Sequence, residues 1–342
     1  MIKFPSIEQF RNVIREVHLN HDYQGKDEEG NPVYRHQSPY PTINFTGTVK
    51  IHGTNAGIVK YKNGHIEYQS RENVLSLEKD NAQFLLNMSA KNLDFLFDGI
   101  EFNEHIAIFG EWCGQSIQKG VAVSELQKMF VVFACKVDGE WIDFVKSDPN
   151  QRIYNINDFK KYEVEIDFNN PELVQNHLGE LTLEVEQECP VGKHFGVSGT
   201  GEGIVWKANY NGRYYIFKTK GEKHSASKVK TLASVNVDEI NSINEFVDYV
   251  LTESRLNQGI DKLREVGKEV SQKSTGDYLR WIVNDVLKEE QDTIIENQLD
   301  PKKLNSAISN KARLWFLNNF WYDPFIQYSS QPIKTPPRLH QV

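Results

Sequence analysis

Glu202-Gly203-Ile204-Val205-Trp206-Lys207-Ala208-Asn209-Tyr210-Asn211-Gly212-Arg213-Tyr214-Tyr215-Ile216-Phe217-Lys218-Thr219-Lys220 reads as one β-hairpin. Asn-Gly between β-rich runs is the strongest short-range hairpin signal, because both residues tolerate positive φ. A two-residue turn at Asn211-Gly212 sets Tyr210 opposite Arg213, Lys207 opposite Ile216, Val205 opposite Lys218 and Gly203 opposite Lys220. Strand alternation then places Val205, Lys207, Lys218 and Lys220 on one face. Three lysines on one face of a hairpin suit a polyphosphate better than a core; a solvent-facing basic face is the alternative. Glu202 has the opposite parity. It reaches the same cleft only if Gly203 sits in a bulge, a common use of glycine in strands.

The same turn device recurs at Asn63-Gly64 and at Asp138-Gly139, each between β-rich runs. Three hairpins predict antiparallel sheets, with strand signals starting at Thr42 and helices such as Leu77 to Leu86 packed between or outside them. A short helical pattern also runs from Ile7 to Val17. Beyond about residue 235 the apolar spacing becomes helical: Ile243, Phe246, Val247, Val250 and Leu251, then Leu279, Ile282, Val283, Val286 and Leu287. A further helix, carrying Leu304, Ile308, Trp315 and Phe316, starts at Asp300-Pro301, an N-cap and a first-turn proline. The spacing predicts an α+β domain over 1–235, a small all-helical domain over 236–328 and a loose Pro-rich tail over 329–342.

The chain has 342 residues, 39% hydrophobic and 25% charged, enough for two domains with full cores. It shows no apolar run of membrane-span length and no signal-peptide core, so a cytoplasmic protein with no membrane partner is expected. Cys113, Cys135 and Cys189 are widely spaced, which disfavours a disulfide framework or a zinc site. The formal charge of −8 hides a basic strip, Arg213, Lys218, Lys220, Lys223, Lys228 and Lys230, broken only by Glu222. Whole-chain charge says little about such a local groove.

Lys50-Ile51-His52-Gly53-Thr54-Asn55 carries the chemistry, with Lys50 expected at the edge of a β-hairpin. Lysine attacks only as the free amine, so a nucleophilic lysine needs a lowered pKa, here from Lys218, Lys220 and a metal ion. A surface strand-edge lysine is the plain alternative. Gly53 would let the backbone approach a phosphate, and His52 would either donate to that phosphate or shape the turn. Glu111 follows the apolar run Ile106-Ala107-Ile108-Phe109-Gly110, so it either enters a cleft, where a metal or a ribose hydroxyl would suit it, or makes a local salt bridge.

With these residues in this order, the chain resembles the covalent nucleotidyltransferases, most closely the phage RNA ligase 2 family, which includes the kinetoplastid RNA-editing ligases. The Lys-x-His-Gly-Thr-Asn form is typical of the RNA ligase branch, whereas DNA ligases and capping enzymes typically have aspartate at the His52 position. The resemblance covers about residues 40–225 and continues more weakly from Val266-Gly267-Lys268 to Asp285-Val286-Leu287. It implies an antiparallel-sheet nucleotidyltransferase domain, ATP-grasp-like, followed by the helical domain.

It also implies site roles. Lys50 would form lysyl-AMP. Arg71 would contact the nucleotide and the 5′-phosphate end. Glu111 would bind ribose and influence the metal, and Glu202 would serve metal-assisted catalysis. Phe133 would stack on adenine, although periodicity alone cannot separate it from a core phenylalanine. Val205 would cover the other face of the base. Lys218 and Lys220 would hold the α-phosphate with help from Lys207. Val49, Ile51, His52, Thr54 and Asn55 would line the pocket. Two departures from the family pattern are Val49, where a glutamate is common, and Ala134, where an acid follows the stacking aromatic.

The implied protein is an ATP-dependent RNA ligase using Mg²⁺ or Mn²⁺. It would join 3′-hydroxyl and 5′-phosphate RNA ends, at nicks or bridged breaks in duplexes, with no obligate protein partner and with a phage-encoded origin open. Lys262, Arg264, Lys268, Lys273, Lys302 and Lys303 would make the helical domain the nucleic-acid clamp. The rivals are a DNA ligase or capping-type enzyme, and a catalytically dead RNA-binding module.

Overall fold

A computed structural model describes residues 1–224, 243–297 and 299–320. Lys228, Lys230 and the expected tail over 329–342 lie outside the described residues. The described strands are β1 (Glu8–Gln9), β2 (Tyr23–Lys26), β3 (Pro32–Tyr34), β4 (Thr42–Lys50), β5 (Thr54–Tyr61), β6 (Ile66–Ser70), β7 (His105–Cys113), β8 (Met129–Val137), β9 (Glu140–Ile142), β10 (Ile153–Asn155), β11 (Lys161–Asp167), β12 (Gly203–Tyr210) and β13 (Arg213–Lys220). The helices are α1 (Phe10–Asp22), α2 (Phe84–Ser89), α3 (Asp94–Phe97), α4 (Gln175–Gln187), α5 (Pro190–His194), α6 (Ile243–Val250), α7 (Glu253–Glu265), α8 (Thr275–Glu289), α9 (Gln291–Glu296) and α10 (Pro301–Phe320).

The strands form two mixed, mainly antiparallel sheets and a small ribbon. One sheet runs β1-β13-β12-β4-β11; the other runs β10-β8-β7-β5-β6, with β9 on β8; β2 and β3 pair alone. The first sheet has one buried face. Along β11, Tyr162, Val164 and Ile166 point inward between exposed Lys161, Glu163 and Glu165. Its apolar face packs with Phe10, Val13 and Val17 of α1, spaced for one helix face, and with Leu178 and Val185 of α4. The second sheet packs Ile58, Ile108 and Phe130 against Phe84 and Met88 of α2 and Leu96 and Phe97 of α3. The helical C-terminal region has its own core, including Phe246, Leu256, Tyr278, Ile282, Leu304 and Phe316. The α+β class with a helical C-terminal region is therefore as expected.

The hairpin over 202–220 has the register read from its turn, with Tyr210 opposite Arg213, Val205 opposite Lys218 and Gly203 opposite Lys220. Asn211 and Gly212 take φ of 51° and 73°, and Asp138 and Gly139 take 47° and 95°. At Asn63-Gly64 only Gly64 has positive φ, 86°. There a wider turn closes through Tyr61 N–H to His65 O at 2.9 Å.

Three expectations are corrected. The first concerns the helix placed at Leu77 to Leu86, which begins only at Phe84. Ala82 and Gln83 hold φ of 51° and 67°, outside the right-handed helix region. The second concerns Lys50. It does not sit at a hairpin edge, because β4 and β5 lie in different sheets. Ile51-His52-Gly53 is the crossover between them, so Lys50 stands where the two sheets meet. The third is the bulge at Gly203, which pairs in unbroken register with both Lys220 and Lys50. Gly203 takes φ +153°, and Glu202 just before it is buried behind the cleft. The irregularity in this part of the fold is between Phe109 and Gly110 instead.

Candidate functional site

The two sheets and helices α7 and α8 enclose a cleft of about 690 Å³. Val49, Lys50, Ile51, His52, Thr54, Asn55, Arg71, Glu111, Phe133, Val205, Lys207, Lys218 and Lys220 all line it. The remaining sequence-derived site residue, Glu202, lies just behind, 3% exposed, and is reached through its ion pairs. Val49 and Ile51 are also part of the first sheet's core, so they fix the crossover as well as lining the cleft.

Glu202 is the hub. Its Oε2 accepts from Lys50 Nζ at 2.8 Å and lies 3.2 Å from His52 Nδ1, and its Oε1 lies 3.0 Å from Lys220 Nζ. Burial would raise the Glu202 pKa, but Lys50, Lys220 and His52 outweigh it and hold the carboxyl well below its usual range. Lys50 responds in the opposite sense. Burial would lower its pKa, yet Glu202 and Glu111 more than compensate, and the net direction is up. This corrects the expectation of a lowered Lys50 pKa: its closest partner is an anion at 2.8 Å, not a cation. Lys220 does shift down, through burial, with Lys50 and Lys218 adding to the effect against Glu202.

Glu111 sits across the crossover, with Oε1 accepting from Gly53 N at 3.1 Å. Burial, with Glu202 and Glu265 adding negative charge against Lys50, pushes its pKa up to about 8. A hard, half-buried carboxylate short of positive charge suits a divalent cation. Among the described residues no group of three or more acidic, His or Cys side chains could hold a metal. One or two carboxylates plus substrate phosphates is the usual protein share for Mg²⁺, so Glu111 and Glu202 fit that donor set.

Other placements refine the expected roles. A Cβ on Gly53 would lie 2.4 Å from Trp112 O, so glycine is required for packing the crossover against β7, independent of any phosphate. Lys207 Nζ donates to Phe133 O at 2.8 Å and lies 5.8 Å from that ring's centroid, so it stands near the aromatic wall rather than the other lysines. Burial pulls its pKa down to about 8. Arg71 Nη2 donates to Ser6 Oγ at 3.2 Å. In the helical region, Lys262 pairs with Glu265 at 3.0 Å and Glu72 at 3.7 Å, Arg264 with Asp261 at 3.1 Å, and Lys268 with Asp277 at 2.5 Å. Several cations expected to hold RNA are thus matched by acids in this state.

Sequence reasoning missed four contributors. Phe4 lines the cleft and meets the Phe133 ring edge-on at 5.0 Å. His224 lies 5.3 Å from the His52 ring, and burial pulls its pKa down to about 4. Glu265 accepts from Thr54 Oγ1 at 3.4 Å. Glu289 lies 3.1 Å from Lys218 Nζ. No local pattern marks Phe4, His224 or Glu265. For Glu289 a signal existed: Asp285 and Glu289, four apart, share one face of α8.

Two sheets meeting at a buried lysine–carboxylate cluster, over a cleft walled by aromatics and lysines, are the architecture of the nucleotidyltransferase class. The model of a family described as RNA ligase matches residues 43–220. That is just over half of the chain and contains Lys50, Glu111, Glu202, Lys218 and Lys220; the chain belongs to the RNA ligase family. Solved structures of an RNA ligase from Naegleria gruberi are similar to it. One, with PPi, is 18% identical, with 64% of this chain and 56% of that chain covered and a TM-score of 0.40. A mutant with ATP and Mn is 17% identical, with the same 64% and 56% coverage and a TM-score of 0.40. A mutant with AMP and Mn is 18% identical, again with 64% and 56% coverage and a TM-score of 0.40. The match spans little more than half the length of those chains. No curated protein matches the sequence. Among the described residues no helix is long and apolar enough to cross a membrane.

Proposed function

We propose that the chain is an ATP-dependent RNA ligase that works through a covalent lysyl-AMP on Lys50. The observation that carries this is the Lys50–Glu202–Lys220 cluster at the crossover between the sheets, with Lys218 beside it. In the first step the Lys50 amine attacks the α-phosphorus of ATP; a P–N bond forms, the bond to the bridging oxygen breaks, and pyrophosphate leaves. Lys50 must first part from Glu202 and give up its ammonium proton. In the second step the P–N bond breaks as an RNA 5′-phosphate takes the AMP, forming an RNA adenylate. In the third a 3′-hydroxyl attacks that 5′-phosphorus, loses its proton, and AMP leaves.

Each step builds negative charge at one phosphorus. Lys218 and Lys220 are fixed donors for that charge, and Lys207 supports the base pocket. A divalent ion, Mg²⁺ or Mn²⁺, held by Glu111 and Glu202 would add positive charge at the phosphates and favour the free amine of Lys50. Phe133 and Val205 would sandwich adenine, Arg71 would meet the 5′-phosphate end, and His52, Thr54 and Asn55 would line the ribose and phosphate side. Residues 1–235 would form the nucleotidyltransferase domain and 236–328 the RNA-binding domain. The substrates would be 3′-hydroxyl and 5′-phosphate RNA ends held in nicked or bridged duplexes. The kinship to the phage RNA ligase 2 branch rests on the Lys50 to Asn55 motif.

The test is direct. The protein is incubated with labelled ATP, GTP or NAD, and then offered nicked duplexes of defined RNA and DNA composition. Covalent label from ATP alone, passed to an RNA 5′-phosphate and released on sealing, supports the proposal. Label from GTP favours a capping-type enzyme, sealing of all-DNA nicks a DNA ligase, and RNA binding without label a dead module. Each of these outcomes overturns it.

A further inference from the structure

The helical region places a carboxylate on a lysine that the nucleotide would need. Glu289, the last residue of α8, lies 3.1 Å from Lys218 Nζ through its Oε1, and the Glu289 side chain is only 16% exposed. Its Oε2 accepts from Gln9 Nε2. Gln9 is itself fixed beside Lys218, because β1 pairs with β13 in the register Gln9 to Lys218. Glu289 thus sits in a seat made by buried Gln9 and the cleft-lining Lys218, in the place a phosphate oxygen would take on Lys218.

The seat is held by a second set of contacts outside the cleft. Arg11 of α1 donates to Glu289 O and, at 3.3 Å, to Glu290 Oε2. Glu290, 1% exposed, is in turn 3.3 Å from the fully buried Arg255, which also pairs with Asp285 at 2.9 Å. Arg15 pairs with Asp292. The docked state therefore has a specific geometry, not a random contact of two surfaces. Arg11 Nε makes no hydrogen bond and lies 4.0 Å from Asp292 Oδ2, so this part of the seat is loosely held.

We propose that Glu289 is a phosphate mimic that gates nucleotide binding: with the helical region docked through Arg11, its carboxylate occupies Lys218, and nucleotide phosphates displace it and release the docking. The proposal rests on the reading of Lys218 as a phosphate-binding residue. A phosphate on the part-buried Lys218 would bring a second anion against the Glu289 carboxylate, and the repulsion between them sets phosphate binding against docking. Linkage then makes the effect reciprocal: docking weakens nucleotide binding by the same factor by which nucleotide weakens docking. A released helical region would be free to hold the RNA end that receives the AMP, so the gate would couple loading of the cleft to exposure of the RNA-binding surface.

The experiment uses the full chain and α,β-methylene-ATP with Mg²⁺, whose carbon bridge blocks lysyl-AMP formation. Dissociation constants are measured for the wild type, Glu289→Gln and Arg11→Ala. Glu289→Gln keeps the shape and removes the charge; Arg11→Ala loosens docking from outside the cleft, where Arg11 holds the Glu289 backbone. The gate predicts that both bind the analogue more tightly, by about tenfold within the usual 5- to 150-fold range of site coupling. It also predicts that a label pair at Glu163→Cys and Asn305→Cys moves apart when the analogue is added to the otherwise wild-type chain. Unchanged or weaker binding in both variants, or an unchanged label distance at saturating analogue, overturns the gate and leaves the ligase reading standing. Tighter binding and separation without any lysyl-AMP from ATP keeps the gate and overturns the ligase reading. No binding by any of the three proteins overturns both.

Discussion

Replacing Glu202 with glutamine tests the centre of the site, because two consequences with opposite signs follow from one bond length. Glu202 holds Lys50 at 2.8 Å and Lys220 at 3.0 Å, and glutamine keeps the shape but removes the charge. Removing one partner of a buried ion pair costs about 3–5 kcal/mol. The Lys50 side chain is 20% exposed and can turn toward water in the cleft. A loss of about 2 kcal/mol is therefore expected, or a melting temperature lower by about 4–8 °C. Without the Glu202 charge, the pKa of Lys50 falls, since burial then acts against Glu111 alone among its main partners. If Glu202 were only a restraint on the nucleophile, Glu202→Gln would form lysyl-AMP faster near neutral pH. If Glu202 also holds the metal and orients Lys50, the rate falls by at least about a hundredfold, the usual loss for one preorganised electrostatic contact. The second outcome is expected, together with a pH–rate plateau reached at lower pH than in the wild type. The assay is single-turnover transfer of label from α-labelled ATP, from pH 6 to 10, over a Mg²⁺ titration. Wild-type rates across that titration would refute the role given to Glu202.

Four further outcomes are expected. Lys50→Arg should fold and take no AMP, because guanidinium stays protonated; peptide mass spectrometry that finds AMP on another residue of the wild type would remove Lys50 from its role. A chain ending near residue 235 should still accept AMP on Lys50 but fail to pass it to a 5′-phosphorylated nick, and should lose most salt-sensitive RNA binding; sealing at the full-length rate would show that the helical region is no clamp. Burial would raise the Glu289 pKa, but Lys218, Gln9 and Arg255 hold it at about 2 against nearby Asp285. A depressed folded-state pKa gives stability that is present above the unfolded value and lost as pH falls through about 2, so the melting difference between wild type and Glu289→Gln should shrink from about pH 5 downward; a constant difference would contradict the pairing. Gly203→Ala should lose about 3 kcal/mol or more, because φ is +153° and the new Cβ would lie 2.0 Å from Thr219 O; a melting curve like the wild type's would contradict the backbone geometry.

The sequence by itself determined the local geometry. The turn at Asn211-Gly212 fixed the register of its hairpin, because a two-residue turn with positive φ at both positions leaves one pairing open. The helix over Pro301–Phe320 was legible from Asp300, which caps Lys302 N at 2.9 Å. Lys50, Glu111, Lys218 and Lys220 stood out in the sequence as candidates and do line the cleft, with Glu202 behind it, whereas the lining carboxylates Glu265 and Glu289 did not stand out. Tertiary structure decided how they meet. No local signal says that β4 and β5 belong to different sheets, and only that separation turns Ile51-His52-Gly53 into a crossover with Lys50 at the junction. The sign of the Lys50 shift was equally out of reach, because it is a sum over charges brought from residues 111 and 202 by folding. Phe4 and Glu289 come from opposite ends of the chain and reach the cleft through packing. Propensity acts over a few residues, whereas burial and Coulomb energy depend on distances that only the closed fold sets.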